Sequence, residues 1–268
     1  MKLLTCLLIT IALAAPLLAQ DPPVTEAMRE LNEAARAYRE GNFAEAQARS
    51  EKALLLDPQS RTASYFVART IHAQYKPGDA TLENAAKARA AIIAYQRILE
   101  REPENEEAYK AVAYLYGALK EDALQREWIF QRAINISLPK DKRAEALVFL
   151  ASKDWECSFK ITELPTNKVT TVKGKRAHVR YQMPKEQAEF EQAKECANRG
   201  LESVNTAITL TPESEIAWSY KTNILLELAK LAEMSGEVQK EREFQRQYKE
   251  ALREATRLSQ SKSEQTSP

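Results

Sequence analysis

Glycine is scarce in this sequence, with six residues in 268, and histidine is scarcer, with two. The pattern G-x-x-x-x-G-K-[ST] is absent, as are G-x-G-x-x-G and G-x-S-x-G, so nucleotide cradles and the common hydrolase elbows have no foothold. His72 and His178 each lack a second His or Cys at ligand spacing, which removes the usual basis for a metal centre. The three cysteines include no C-x-x-C pair, so thiol redox catalysis is not indicated. Charge of one sign is also lacking. The chain holds 39 Lys and Arg against 38 Asp and Glu, and a net charge of +1 gives no bulk attraction to a polyanion such as nucleic acid. Carboxylates are plentiful, as at Glu100, Glu102, Glu104, Glu106 and Glu107, but nothing marks two of them as an acid and base pair. No cofactor is expected, and the expectation is of a protein that is not an enzyme.

What is present favours helix. Hydrophobic residues make up 44% and charged residues 29%, with Ala, Glu, Lys, Leu and Arg abundant, enough for a sizeable helical core. Residues 1–19 combine Lys2, an apolar run from Leu3 to Leu18 and the small Ala19, the signature of a secretory leader. The alternative, a retained anchor, calls for a longer apolar span. Export predicts a periplasmic or secreted protein, and makes Cys157 and Cys196 the cysteines of the mature chain. One disulfide between them is the expectation, with two buried free thiols as the alternative.

Residues 27–58 set the organisation of the chain. They read as a helix, a Gly41-Asn42 turn and a second helix closed by Asp57-Pro58. Ala34, Ala46 and Ala53 are small where two helices must approach, and Tyr38, Phe43 and Leu54 are the larger residues between them. These residues resemble the tetratricopeptide repeat, whose helix pairs carry small and large residues at fixed offsets and end in proline. Pro103, Pro139 and Pro212 close later pairs as Pro58 closes the first. The resemblance implies an all-α solenoid of antiparallel helix pairs, since one pair cannot bury its apolar face alone.

The predicted organisation is a leader at 1–19, a Pro-rich lead-in at 20–26, a repeat domain at 27–256 and a disordered polar tail at 257–268. A second pair starts at Ser60 and has an overlong second helix from about Thr81 to Pro103. The third pair, to Pro139, turns at Lys120-Glu121-Asp122 without glycine. In the fourth, β-branched residues alternate with polar ones, which predicts an inserted β-hairpin at about 157–183 with its tip near Lys173-Gly174-Lys175. The pair resumes at Lys185, and a last pair turns at Ser235-Gly236.

The resemblance also implies a partner groove along the first helix of each pair, where an extended peptide or a partner helix is held. Aligned on Gly41 and the closing prolines, that groove takes Leu31, Ala35 and Tyr38 from the first pair, Tyr65, Arg69 and His72 from the second, and Lys110 and Tyr114 from the third. Co-chaperones of this family clamp a C-terminal carboxylate with Lys and Asn. Leu31 and Ala35 stand where the first of those residues would be, so that ligand class is not implied here. A second candidate is the basic hairpin, with Lys168, Lys173, Lys175, Arg176, His178 and Arg180. The reading that follows is a non-catalytic scaffold for protein partners in the bacterial cell envelope. The alternatives are a module binding anionic lipid or polysaccharide through residues 168–180, and an enzyme whose site carries no recognised motif. Oligomeric state has no sequence signal.

Overall fold

The structure is a computed structural model that describes residues 25–173 and 176–266. The leader expected at 1–19 and Lys175 lie outside the described residues. The fold is all-α, as expected, with sequence-neighbouring helices packed on one another within each unit and one inserted β-hairpin. The chain divides into two compact units, residues 1–74 and 75–268. Their boundary falls inside the pair that the sequence reads as the second repeat.

The first unit contains α1 (Glu26–Arg39), α2 (Phe43–Leu56) and α3 (Arg61–Ala73). Thr25 and Ser60 begin α1 and α3 by accepting hydrogen bonds from the amides of Met28 and Ala63. Gly41, at φ 81°, takes the left-handed turn between α1 and α2 that a Cβ would disfavour. Ala34, Ala46, Ala53, Ala63 and Ala68 are all fully buried, which lets α1 pack on α2 and α2 on α3 at close range. Glu30 is buried as well, and Arg49 and Lys52 of α2 neutralise it at 3.1 and 2.7 Å.

The second unit contains α4 (Leu82–Arg101), α5 (Glu106–Ala118), α6 (Asp122–Ile134), α7 (Lys140–Thr162), α8 (Gln187–Leu210), α9 (Glu215–Met234) and α10 (Val238–Thr266). Each packs on the next, and α7 also packs on α9. Thr81, Asn105 and Ser214 cap α4, α5 and α9 through their side chains. Leu147, Leu150, Phe190, Val204, Ile224, Leu225 and Leu228 form the shared core, where each full burial of a large aliphatic side chain contributes about 2 kcal/mol. Between α5 and α6 the residue at φ 58° is Lys120, the left-handed conformation that Gly41 takes between α1 and α2 and Gly236 between α9 and α10.

Two expectations are corrected. The hairpin is shorter than 157–183: β1 (Lys168–Lys173) and β2 (Arg176–Tyr181) pair antiparallel, with Lys168 opposite Tyr181 and Lys173 opposite Arg176. Residues 157–162 belong instead to α7, because Ala151, Asp154, Ser158 and Thr162 recur at helical spacing and are all buried. The β-branched and aromatic residues at Phe159 and Ile161 are helix residues on other faces of that turn. The polar segment expected to be a disordered tail is helical as far as Thr266. Leu258 lies seven residues after Ala251, both are buried, and Lys262 reaches Glu215 of α9 at 3.2 Å, so packing against α9 carries the helix onward.

Candidate interaction surface

Helix α7 carries Trp155 and Phe159 one turn apart, on the face next to its buried stripe. Their rings lie 5.2 Å apart, and Tyr220 of α9 meets Trp155 edge-on at 6.2 Å. These rings are not sealed into the core. Phe159 keeps 38% of its surface and Leu226 of α9 keeps 41%. The α7 and α9 pair, each the first helix of its repeat, thus presents aromatic surface that is half in contact and half in solvent.

At the end of this row sits an ionic cluster. Lys230 of α9 donates to Glu227 at 2.6 Å and to Glu163 at 2.7 Å, and its ammonium lies 5.3 Å from the Phe159 ring centre and 5.2 Å from that of Tyr181. Thr162 donates its hydroxyl to Glu227, while Lys168 and Tyr181 donate to Glu163. Burial pushes the Glu163 carboxyl up, but the hydrogen bonds from Lys168, Lys230 and Tyr181 outweigh it and hold the group at about 2. Burial and the Glu163 carboxylate together push the Tyr181 phenol well above its ordinary range. Lys168 and Tyr181 face each other at the first rung of the hairpin, so the cluster ties the ribbon to α9.

The sequence-predicted groove residues fall into both units. In the first, Tyr38 lies tilted against Phe43 at 5.2 Å and receives the Arg69 guanidinium 5.0 Å above its ring, so α1 and α3 do bring two of them together. Leu31, Tyr65 and His72 are half-buried, and burial holds the His72 imidazole below its ordinary value. In the second unit Lys110 is exposed and Tyr114 keeps 49% of its surface on α5. Trp155, Phe159, Tyr220 and Leu226 escaped the sequence reading. Their signal was the four-residue spacing of Trp155 and Phe159, obscured because Phe159 was assigned to a strand.

The basic hairpin is less free than its sequence implied. Lys168 is held by Glu163 and serves the anchor, whereas Arg180 is 78% exposed and reaches Glu233 at only 3.8 Å. Lys175 and the side chains of Lys173 and Arg176 lie outside the described residues. Cys157 and Cys196 meet at disulfide distance, 2.06 Å, and join α7 to α8 rather than the feet of the strands. Closing a span of 39 residues contributes about 4 kcal/mol in the chain-entropy account. Beside them the buried Asp154 accepts from Arg126 of α6 at 3.0 and 2.9 Å and from Arg199 of α8 at 3.1 Å, so one carboxylate fastens three helices.

A shallow cleft of about 520 Å³ opens beside α5 and α6, with Leu99, Tyr109, Trp128, Arg132, Ile134 and Ile136 among its walls. The Tyr109 and Trp128 rings are stacked at 6.0 Å, and Arg132 lies 4.0 Å over Tyr109 while ion-paired to Glu106. Burial pushes the Tyr109 phenol up to about 12, against the pull of Arg132. Among the described residues no group of three His, Cys, Asp or Glu side chains is placed to hold a metal ion. No helix among them is long and apolar enough to cross a membrane.

No protein-family model matches the chain, and no curated protein matches it. Among solved structures, the "MamA RS-1 ArsTM double mutant" is 13% identical over 89% of this chain and 98% of that one, with a TM-score of 0.39.

Proposed function

We propose that this chain is an exported, non-catalytic scaffold that binds protein partners in the bacterial cell envelope through the first helices of its repeats. The observation that carries the reading is the row of Trp155, Phe159 and Tyr220 on α7 and α9, ordered by ring contacts, with Trp155 and Tyr220 half-buried and Phe159 38% exposed. Aromatic side chains of this kind offer large contact area at small entropic cost, which is why they anchor interfaces. Tyr114 on α5 is a further exposed aromatic of the second unit, and the first unit has its own aromatic position in Tyr38 with Arg69 above its ring. The leader-like residues 1–19 and the cysteine pair support export.

A photo-crosslinking amino acid placed at Phe159 or Tyr114 in the native host tests this. The expected result is a discrete crosslinked envelope protein from both positions and none from Val238, an exposed residue at the start of α10. Equal labelling from all three positions, or none from the first two, sinks the reading.

A further inference from the structure

Between Glu163 and Glu186 the sequence places six Lys and Arg and not one carboxylate, whereas the rest of the chain holds 33 Lys and Arg against 38 Asp and Glu. This stretch contains the β-hairpin, whose sheet has only two strands among the described residues, so no third strand covers either outer edge. β2 lies against α9, which leaves the outer edge of β1 as the open one.

The edge itself is built for pairing. β1 reads Lys168-Val169-Thr170-Thr171-Val172-Lys173, four β-branched residues between two cations. A strand protected from association carries its charges along the edge; here the middle carries none. Val169 is 42% exposed and Val172 is 71% exposed, and Val179 across from Thr170 is 48% exposed. Their burial awaits a partner. The ribbon is also held in place before any partner arrives. Asn167 is buried and donates to the Ile161 carbonyl at 2.8 Å, the Gln182 amide bonds back to Asn167 at 3.0 Å, and Lys168 and Tyr181 hold Glu163. A fixed edge loses little freedom on binding.

We propose that the outer edge of β1 accepts an extended, acidic segment of a partner protein by strand addition, the partner's backbone pairing along Val169 to Val172 and its carboxylates drawn by the net positive charge of residues 164–185. A second copy of this chain is the wrong occupant, because two edges so joined would set two carboxylate-free basic stretches against each other. The inference stands on the hairpin alone and is independent of the aromatic surface on α7 and α9.

The test uses the full chain and a fluorescent peptide of alternating glutamate and valine, read by anisotropy. Binding is expected to weaken in high salt, and to fall at least about tenfold when the central amide nitrogens of the peptide are methylated, since methylation removes the donors that strand addition needs. Val169→Glu with Val172→Glu, both exposed positions, is expected to cause a loss of similar size, while Val238→Glu, at an exposed position on α10, leaves affinity unchanged. Added peptide is also expected to slow amide exchange within residues 169–172. Undiminished binding of the methylated peptide, absence of binding by the unmethylated one, or displacement of bound peptide by phosphatidylglycerol vesicles would each overturn the proposal.

Discussion

Lys230 of α9 donates to Glu163 at the end of α7, 2.7 Å away in space and 67 residues away in sequence. Glu163 then passes the connection to both strands of the hairpin through Lys168 and Tyr181. The position of the ribbon is therefore decided by a helix that the chain has not reached when the ribbon is made.

Removing one partner from a buried ionic cluster leaves the others uncompensated, which costs more than the cluster contributes when whole. Lys230→Met is expected to destabilise the protein by about 3 kcal/mol in chemical denaturation and to speed amide exchange in β2. Adding Glu227→Gln, which removes the carboxylate left buried, is expected to recover part of that loss. A single variant as stable as the parent would show that the cluster holds nothing.

Acid should act through Glu163. Its folded value is about 2, below the ordinary 4.5, so the unfolded chain binds the proton more readily. The stability this group contributes is present in full above about pH 4.5 and is lost as pH falls toward about 2. Denaturant midpoints across that window are expected to fall more steeply for the parent than for Glu163→Gln. Parallel slopes would contradict the assignment.

In the third repeat, Gln125 of α6 occupies a place where the first repeat has Ala46, and it donates to the Ala113 carbonyl of α5 at 2.8 Å. It fits because α5 has Gly117 there: a Cβ on that glycine would lie 2.4 Å from the Gln125 amide nitrogen. Gly117→Ala is expected to cost about 2 kcal/mol by displacing a buried amide from its acceptor. In a Gln125→Ala background the same change is expected to be neutral or slightly stabilising, since alanine favours helix. Thermal melts of the four proteins check the coupling, and additive effects would count against it.

Much of the fold was legible because its signals are local. Ser60, Asn105 and Ser214 stand one residue before their helices, and Gly41 and Gly236 mark left-handed turns that follow from the absence of a Cβ. Lys120 turns the chain in the same conformation without that signal, held there by the helices on either side. The extent of α7 was misread for a different reason. Phe159 and Ile161 have the residue types of a strand, and only burial of Asp154, Ser158 and Thr162 against neighbouring helices fixes a helical period through them. The end of α10 was misread likewise, because its polar composition hides the one apolar residue, Leu258, that α9 covers.

The sequence alone determined the helical class, the order of the pairs, the presence of one hairpin and the two cysteines that could meet, since propensity, turn chemistry and small-residue spacing act within a few positions of the chain. Only the tertiary structure decided which aromatic rings stay open on α7 and α9, and which cation of the hairpin is spent on its anchor. It also decided that Cys157 staples two helices rather than a strand. Those outcomes depend on groups dozens of residues apart arriving within a few ångströms, and the chemistry of such a contact belongs to both partners and is written in neither one's neighbourhood.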